Sequence, residues 1–267
     1  MGAISMGHGG SYLEAFFRDG KTIILPIDHG TAIPTPGLEQ PKGLIEATMA
    51  VVDGYVVNYG LAKAFGGIFA AKPICLRTDI YKPAYGGNPD EGAFRVFGAE
   101  EAMQVGASAV MNMLYLEHPN EAAMIRECAD LIADCASVEL PVILEVLPFG
   151  IGRPDDYTLG SISFGMRVAA ELGADVVKTA YPTGARAEEF RSAVEACFVP
   201  VIVLGGAAMG DDLALLTMVK NAMDAGAAGI AIGRNVWQHE NPGGIARALQ
   251  KTVHEGWSVE NSLAIID

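Results

Sequence analysis

Positive charge is what this chain has least of. Its 267 residues carry 18 Lys and Arg against 32 Asp and Glu, a formal net charge of −14. No basic run stands out. A chain so acidic repels nucleic acid and anionic membrane surfaces, which excludes both as ready partners. An anionic ligand would need single basic residues and backbone amides working against the global field. Cysteine is scarce too: Cys75, Cys128, Cys135 and Cys197 form no CxxC pair. That argues against a disulfide framework and fits a reducing cytoplasm. Histidine is equally thin. His8, His29, His118, His239 and His254 include no pair with the spacing of a zinc helix motif. The apolar runs are too short and too broken by Gly, Asp and Pro to span a bilayer. The opening "MGAISMGHGG" lacks the charged start and apolar stretch of a signal peptide.

What is present is repetition. Eight short, β-rich, nearly continuous apolar runs recur: "TIILPID" (22–28), "GYVVNYG" (54–60), "PICLRTD" (73–79), "SAVMNML" (108–114), "PVILEVL" (141–147), "DVVKTA" (175–180), "PVIVLGG" (200–206) and "AGIAIGR" (228–234). Such runs suit parallel strands covered on both faces. Amphipathic stretches alternate with them, and a last one covers 242–255. The joints "VVDGYVV", "QVGASAV", "ELGADVV" and "DAGAAGI" each place a glycine after the helical stretch, where a left-handed C′ residue is expected. Asn241–Pro242 reads as an N-cap and first-turn proline. Eight such units predict one α/β domain, a (β/α)8 TIM barrel over 1–267. The first twenty residues are expected to cap its bottom, and 257–267 form a tail that packs on a neighbour or another subunit. A doubly wound sheet is the rival, but "LGGAAMG" does not fit GxGxxG and comes late.

A barrel carries its active site at the C-terminal ends of its strands. That rule turns the strand list into a site list. The first strand ends in Asp28 and His29; the second offers Asn58 and Tyr59; the third, Arg77 and Asp79; the fourth, Asn112 and Tyr115; the fifth, Glu145; the sixth, Lys178. Lysine is almost never fully buried unless paired. Lys178 therefore either makes a structural ion pair with Asp28 or Glu145, or serves as an amine in the barrel mouth that attacks a carbonyl to give a Schiff base. Asp28 either helps that amine with protons or caps a loop. His29 is a base or a structural histidine. Glu145 points inward or outward according to register, and if inward it needs a partner, which Lys178 on the next strand supplies. Gly205–Gly206 and Gly233–Arg234 end the last two strands. Loops at those places often form a phosphate site, although glycines there could also only make tight turns. A Mg²⁺ held by Asp28 and Glu145 is the one metal site the residues leave open.

The pieces "PIDHG", "GADVVKTAYPTG", "PVIVLGG" and "IGRNVWQ", in that order on strands one, six, seven and eight, resemble the archaeal-type class I fructose-bisphosphate aldolases. These are grouped with deoxyribose-phosphate aldolase and the aminodideoxyheptulosonate synthases. The resemblance covers nearly the whole barrel. It implies a Schiff base on Lys178 with no separate cofactor, help from Asp28, a substrate phosphate on Gly205, Gly206, Gly233 and Arg234, and a homo-oligomer of barrels. One departure matters. The family's aldolases carry a Tyr-Pro pair after strand five, and the tyrosine moves protons. Here the stretch is "EVLPFG", with Leu147 in that place. Tyr115, Tyr181, His29 or a water on Glu145 would have to substitute, Tyr115 first among them. The expected reaction is aldol cleavage or synthesis on a small phosphorylated ketose or deoxy sugar. The alternatives are a Schiff-base thiolase or transferase on a phosphorylated diketone, a non-covalent phosphosugar isomerase, or a sugar-phosphate sensor without turnover.

Overall fold

Eight parallel strands close into a barrel in the computed structural model, which describes residues 10–81, 92–148 and 157–266. In chain order the strands are β1 (Thr22–Pro26), β2 (Gly54–Val57), β3 (Ile74–Arg77), β4 (Asp79–Tyr81), β5 (Ala93–Arg95), β6 (Ala109–Leu116), β7 (Val142–Pro148), β8 (Val176–Thr179), β9 (Val201–Leu204) and β10 (Gly229–Ala231). The barrel runs β1-β10-β9-β8-β7-β6-β3-β2 and closes by pairing β2 with β1. The remaining two strands, β4 and β5, form an antiparallel ribbon after β3, which the apolar runs did not predict.

The helices are α1 (Gly10–Glu14), α2 (Pro41–Thr48), α3 (Tyr59–Phe69), α4 (Ala99–Gln104), α5 (Glu121–Ala136), α6 (Leu159–Leu172), α7 (Ala187–Ala196), α8 (Asp212–Asp224), α9 (Arg234–Trp237), α10 (Pro242–Glu255) and α11 (Val259–Leu263). Four open with side-chain caps. Thr158, Asp211, Asn241 and Ser258 accept hydrogen bonds from the amides of Ser161, Ala214, Gly244 and Asn261, satisfying donors that a helix start leaves orphaned. None of the helices is long and apolar enough to cross a membrane, among the described residues.

The expected joints hold at Gly106, Gly173 and Gly226, all left-handed at φ +69°, +108° and +96°. Gly54 differs: it is the first residue of β2, and a Cβ there would stand 2.5 Å from the Phe16 ring. Close packing, not backbone handedness, selects that glycine. The ring belongs to the N-terminal segment, whose Leu13 and Phe16 plug the barrel from below. Residues 1–9 of the expected cap, and Asp267, lie outside the described residues. The tail folds back on its own chain: α11 packs on α8 and α10, Ser262 bonds Thr252, and the Asn241 amide donates to the Ile266 carbonyl.

Two apolar layers result. The larger lies between strands and helices and includes Cys128 and Cys135 of α5. The smaller fills the barrel itself with residues from every strand of the barrel: Ile24, Val56, Cys75, Ala109 and Met111, Ile143, Val176, Ile202 and Ala231. Side chains alternate along a strand. The residues two further along therefore also face inward, nearer the C-terminal mouth. On β1, β3, β7, β8, β9 and β10 the residues so placed (Pro26, Arg77, Glu145, Lys178, Leu204 and Gly233) line the site.

Candidate active site

Stepping two residues from Cys75, Ile143 and Val176 gives Arg77, Glu145 and Lys178. Stepping four from Ile24 gives Asp28. All four line a cavity of about 230 Å³ at the C-terminal mouth. Register settles the orientation of Glu145: it lies beside Lys178 in the β7–β8 pairing, with Ile143 beside Val176 below it.

The contacts are close. Lys178 Nζ stands 2.8 Å from Glu145 Oε1. Glu145 Oε2 accepts from Arg77 Nη2 at 2.6 Å. Asp28 Oδ2 accepts from Arg77 Nε, also at 2.6 Å. Asp79, at the start of β4, accepts from Arg77 Nη1 at 3.3 Å. The Tyr81 ring covers the guanidinium at 5.1 Å. None of these charged side chains is more than 7% exposed. The guanidinium thus fills the space between the two carboxylates that the sequence offers to Mg²⁺.

Burial and pairing compete over the carboxylates. Burial pushes Glu145 up, but Lys178 and Arg77 outweigh it and hold the group below its ordinary range. Asp28 follows the same pattern: burial opposes ionisation, and Arg77, His29 and Lys178 together hold it far below the usual carboxylate range. Asp79 goes the other way. Its burial exceeds the help from Arg77, and its carboxyl is pushed up to about 6. Asp28 Oδ1 has no hydrogen-bond partner. His29 Nδ1 lies 3.4 Å from it, a charge-pair distance without hydrogen-bond geometry. A buried acceptor beside a cavity is free to take a proton or hydroxyl from whatever enters.

The wall between β8 and β1 is backbone-rich. Gly205 and Gly206 after β9, and Gly233 and Arg234 after β10, line it. A Cβ on Gly233 would stand 2.7 Å from the Pro26 carbonyl oxygen, so no larger residue fits. Asn235 ties the two loops together. Its amide nitrogen donates to the Gly205 and Ala207 carbonyls, and its oxygen accepts from the Met209 amide. Arg234 is partly exposed, and its buried Nε has no hydrogen-bond partner. Burial lowers its hold on the proton, against attraction from Tyr81, Glu145 and Tyr157.

Of the expected site residues, Asp28, His29, Glu145, Lys178, Gly205, Gly206, Gly233 and Arg234 all line this cavity. Tyr115 does not. It sits on β6 beside Leu147, its ring toward His118 with centroids 5.8 Å apart. Its buried hydroxyl has no hydrogen-bond partner, and burial pushes that phenol well above its ordinary range. Tyr181 also stays outside, with its hydroxyl on the Ala185 carbonyl. Among the described residues the tyrosines that line the cavity are Tyr81 and Tyr157, and Leu147 lines it as an apolar side chain. Arg77, Asp79, Tyr81 and Asn235 carry the geometry without having been assigned a role. Asn58 and Asn112, offered by the same rule, are structural: Asn58 donates to the Asp28 carbonyl, and Asn112 bonds Thr78.

A buried lysine with a carboxylate proton partner, facing a cavity that glycine-rich loops also line, is equipped for covalent carbonyl chemistry on an anion-tagged substrate. The comparisons agree. The family model of the DeoC/LacD family aldolases matches residues 22–239. A 2-amino-3,7-dideoxy-D-threo-hept-6-ulosonate synthase of Archaeoglobus fulgidus is 31% identical, covering 93% of this chain and 92% of its own. A class 1 fructose-bisphosphate aldolase of Halobacterium salinarum is 32% identical, over 93% and 96%. An archaeal fructose-1,6-bisphosphate aldolase, solved with its catalytic Lys covalently bound to the carbinolamine intermediate of the substrate, superposes with a TM-score of 0.81 at 30% identity, over 93% of this chain and 100% of that one. The chain belongs to the DeoC/LacD aldolase family and is a class I aldolase, an enzyme that works through a lysine Schiff base.

Proposed function

We propose that Lys178 is the Schiff-base lysine and that the enzyme breaks or forms a carbon–carbon bond in a small phosphorylated ketose or deoxy sugar. The observation that carries this reading is the place of Lys178 on the wall of the cavity that Gly205, Gly206, Gly233 and Arg234 also line, with Glu145 Oε1 2.8 Å from its Nζ. Glu145 Oε1 accepts the lysine's proton, and the neutral amine attacks the substrate carbonyl. The new C–N bond sends the carbonyl electron pair to oxygen, and one N–H proton ends there. The proton kept on Glu145 then joins that hydroxyl, which leaves as water. A protonated imine remains, with Glu145 again a carboxylate. In cleavage a base takes the hydroxyl proton of the far carbon, the carbon–carbon bond breaks, and its electron pair neutralises the imine as an enamine. Protonation at carbon and hydrolysis then free the ketone. Asp28 Oδ1, with His29 Nδ1 3.4 Å away but no hydrogen-bond partner among the described residues, holds the reacting hydroxyl. Gly205, Gly206, Gly233 and Arg234 hold the phosphate and so fix the carbonyl over Lys178.

Four free cysteines, all buried, suit a reducing cytoplasm. The homo-oligomer that the resemblance implies is part of the same reading.

A second reading, a Schiff-base thiolase acting on a phosphorylated diketone, is favoured by Leu147, which lines the cavity where the family's aldolases place a proton-transferring tyrosine. Product analysis separates the two. The common step is tested by borohydride reduction in the presence of dihydroxyacetone phosphate and other phosphorylated ketones, followed by peptide mapping. An adduct on Lys178 is expected. No adduct from any ketone, in protein that still binds phosphate, overturns the covalent mechanism in favour of an isomerase or a sensor.

A further inference from the structure

We infer that Arg77 is a positioning residue that divides the two reactive carboxylates, taking one oxygen of each and leaving the other for chemistry. The inference rests on the Schiff-base reading above and goes beyond it, because it gives a role to a side chain that needs no contact with substrate. Nε takes Asp28 Oδ2 and Nη2 takes Glu145 Oε2, both at 2.6 Å. What is left over is the useful pair. Glu145 Oε1 faces Lys178, and Asp28 Oδ1 has no hydrogen bond. Asp79 holds Nη1 from behind, and the Tyr81 ring covers one face. Three of the five N–H donors of the guanidinium are thus taken by protein carboxylates, and the side chain is 2% exposed.

Only arginine does this. Its planar fork fixes the directions of several donors at once, whereas an ammonium is a compact charge on a flexible stem. Among the described residues the charged and titratable groups facing it are Asp28, Glu145, Asp79 and Tyr81, with Cys75 and Tyr115 also in its field, and Lys178 and His29 reach the same carboxylates. Without Arg77, buried like charges would have Lys178 as their main counterion, and their protonation would move toward neutral pH.

The test measures the rate of borohydride trapping at Lys178, with dihydroxyacetone phosphate as the probe, between about pH 5 and about pH 9. Full-length wild type is compared with Arg77→Lys, Arg77→Met and the charge-relieved double variant Arg77→Lys/Asp79→Asn. Arg77→Lys should lower the maximal rate by about 10²-fold and move the acid limb up by about one unit or more. Binding of inorganic phosphate should be unchanged. A merely structural residue would lower the yield of folded protein and leave the limb of the surviving molecules in place. Should Arg77→Met not fold, Arg77→Lys and the double variant carry the comparison. Wild-type rate and limb in Arg77→Lys overturn the inference alone. Absence of any wild-type adduct on Lys178 overturns the Schiff-base reading and this inference with it.

Discussion

The lower and upper halves of the barrel interior are built by the same strands and are chemically opposite. Below lie Cys75, Ile143 and Val176, with Ile24 and Ile202 beside them, all buried and apolar. Two residues further along β3, β7 and β8 lie Arg77, Glu145 and Lys178. Alternation carries both sets to the inside, so one step of the pleat separates a layer that stabilises from a layer that reacts. The lower layer gains by excluding water. The upper layer gives up that benefit, and its charges survive burial only because each has a partner of opposite sign.

The comparison breaks most sharply at Lys178. Lys178→Met extends the apolar layer upward by one residue. It should abolish borohydride trapping and lower turnover by about 10⁴-fold or more, in protein that circular dichroism shows to be folded. Trapping that persists in this variant would move the Schiff base elsewhere. Glu145→Gln keeps the shape and removes the charge. It should lower kcat by about 10² to 10³-fold with little change in KM, because the lysine loses its proton partner and the phosphate wall is untouched. An unchanged kcat would leave Glu145 a structural counterion only.

The lower layer should answer to stability instead. Ile202→Ala opens a cavity under the site, in a side chain with no exposure. It should cost about 3 kcal/mol in urea unfolding and leave kcat at the wild-type value. A large loss of kcat without loss of stability would mean that the two layers are not separable.

These layers were not equally legible in the sequence. Each of the eight apolar runs became a strand of the barrel, because burial on both faces leaves a local, continuous signature. The β4–β5 ribbon was not legible, since two strands of three residues each are too short to show alternation. In the upper layer, Lys178 stood out as a charge inside an apolar run. Arg77 in "PICLRTD" asks the same question, two residues past an interior cysteine, but its answer depends on Asp28, Asp79 and Glu145 arriving from separate strand ends. That convergence is long-range and leaves no local pattern. For Glu145 the sequence left two registers open, and only pairing with β8 chooses between them. Tyr115 illustrates the remaining gap. Strand position alone made it the first substitute for the missing tyrosine, but the cavity is lined by Leu147, Tyr81 and Tyr157 and not by Tyr115, and Tyr81 and Tyr157 stand outside the barrel strands.

Asp79 gives the smallest and sharpest contrast within the upper layer, since it is the one carboxyl of the Arg77 trio held above its ordinary range, at about 6. In the unfolded chain an aspartate titrates near about 4. Below that value the group is protonated in both states and carries no penalty. As pH rises from about 4 to about 6, the unfolded chain releases this proton more readily than the folded one, so folding stability falls; above that it is flat. Asp28 and Glu145, held low, act in the opposite sense at more acid pH, where their contribution is lost as pH falls. Asp79→Asn removes only the first effect. The stability of the variant relative to wild type, followed by urea unfolding, should therefore rise by about 2 kcal/mol between pH 4 and pH 7. The slope is the test, because losing the Arg77 contact shifts the whole curve by a constant. A flat difference would mean that Arg77 holds Asp79 as firmly as it holds the other two, and the trio would then be symmetric.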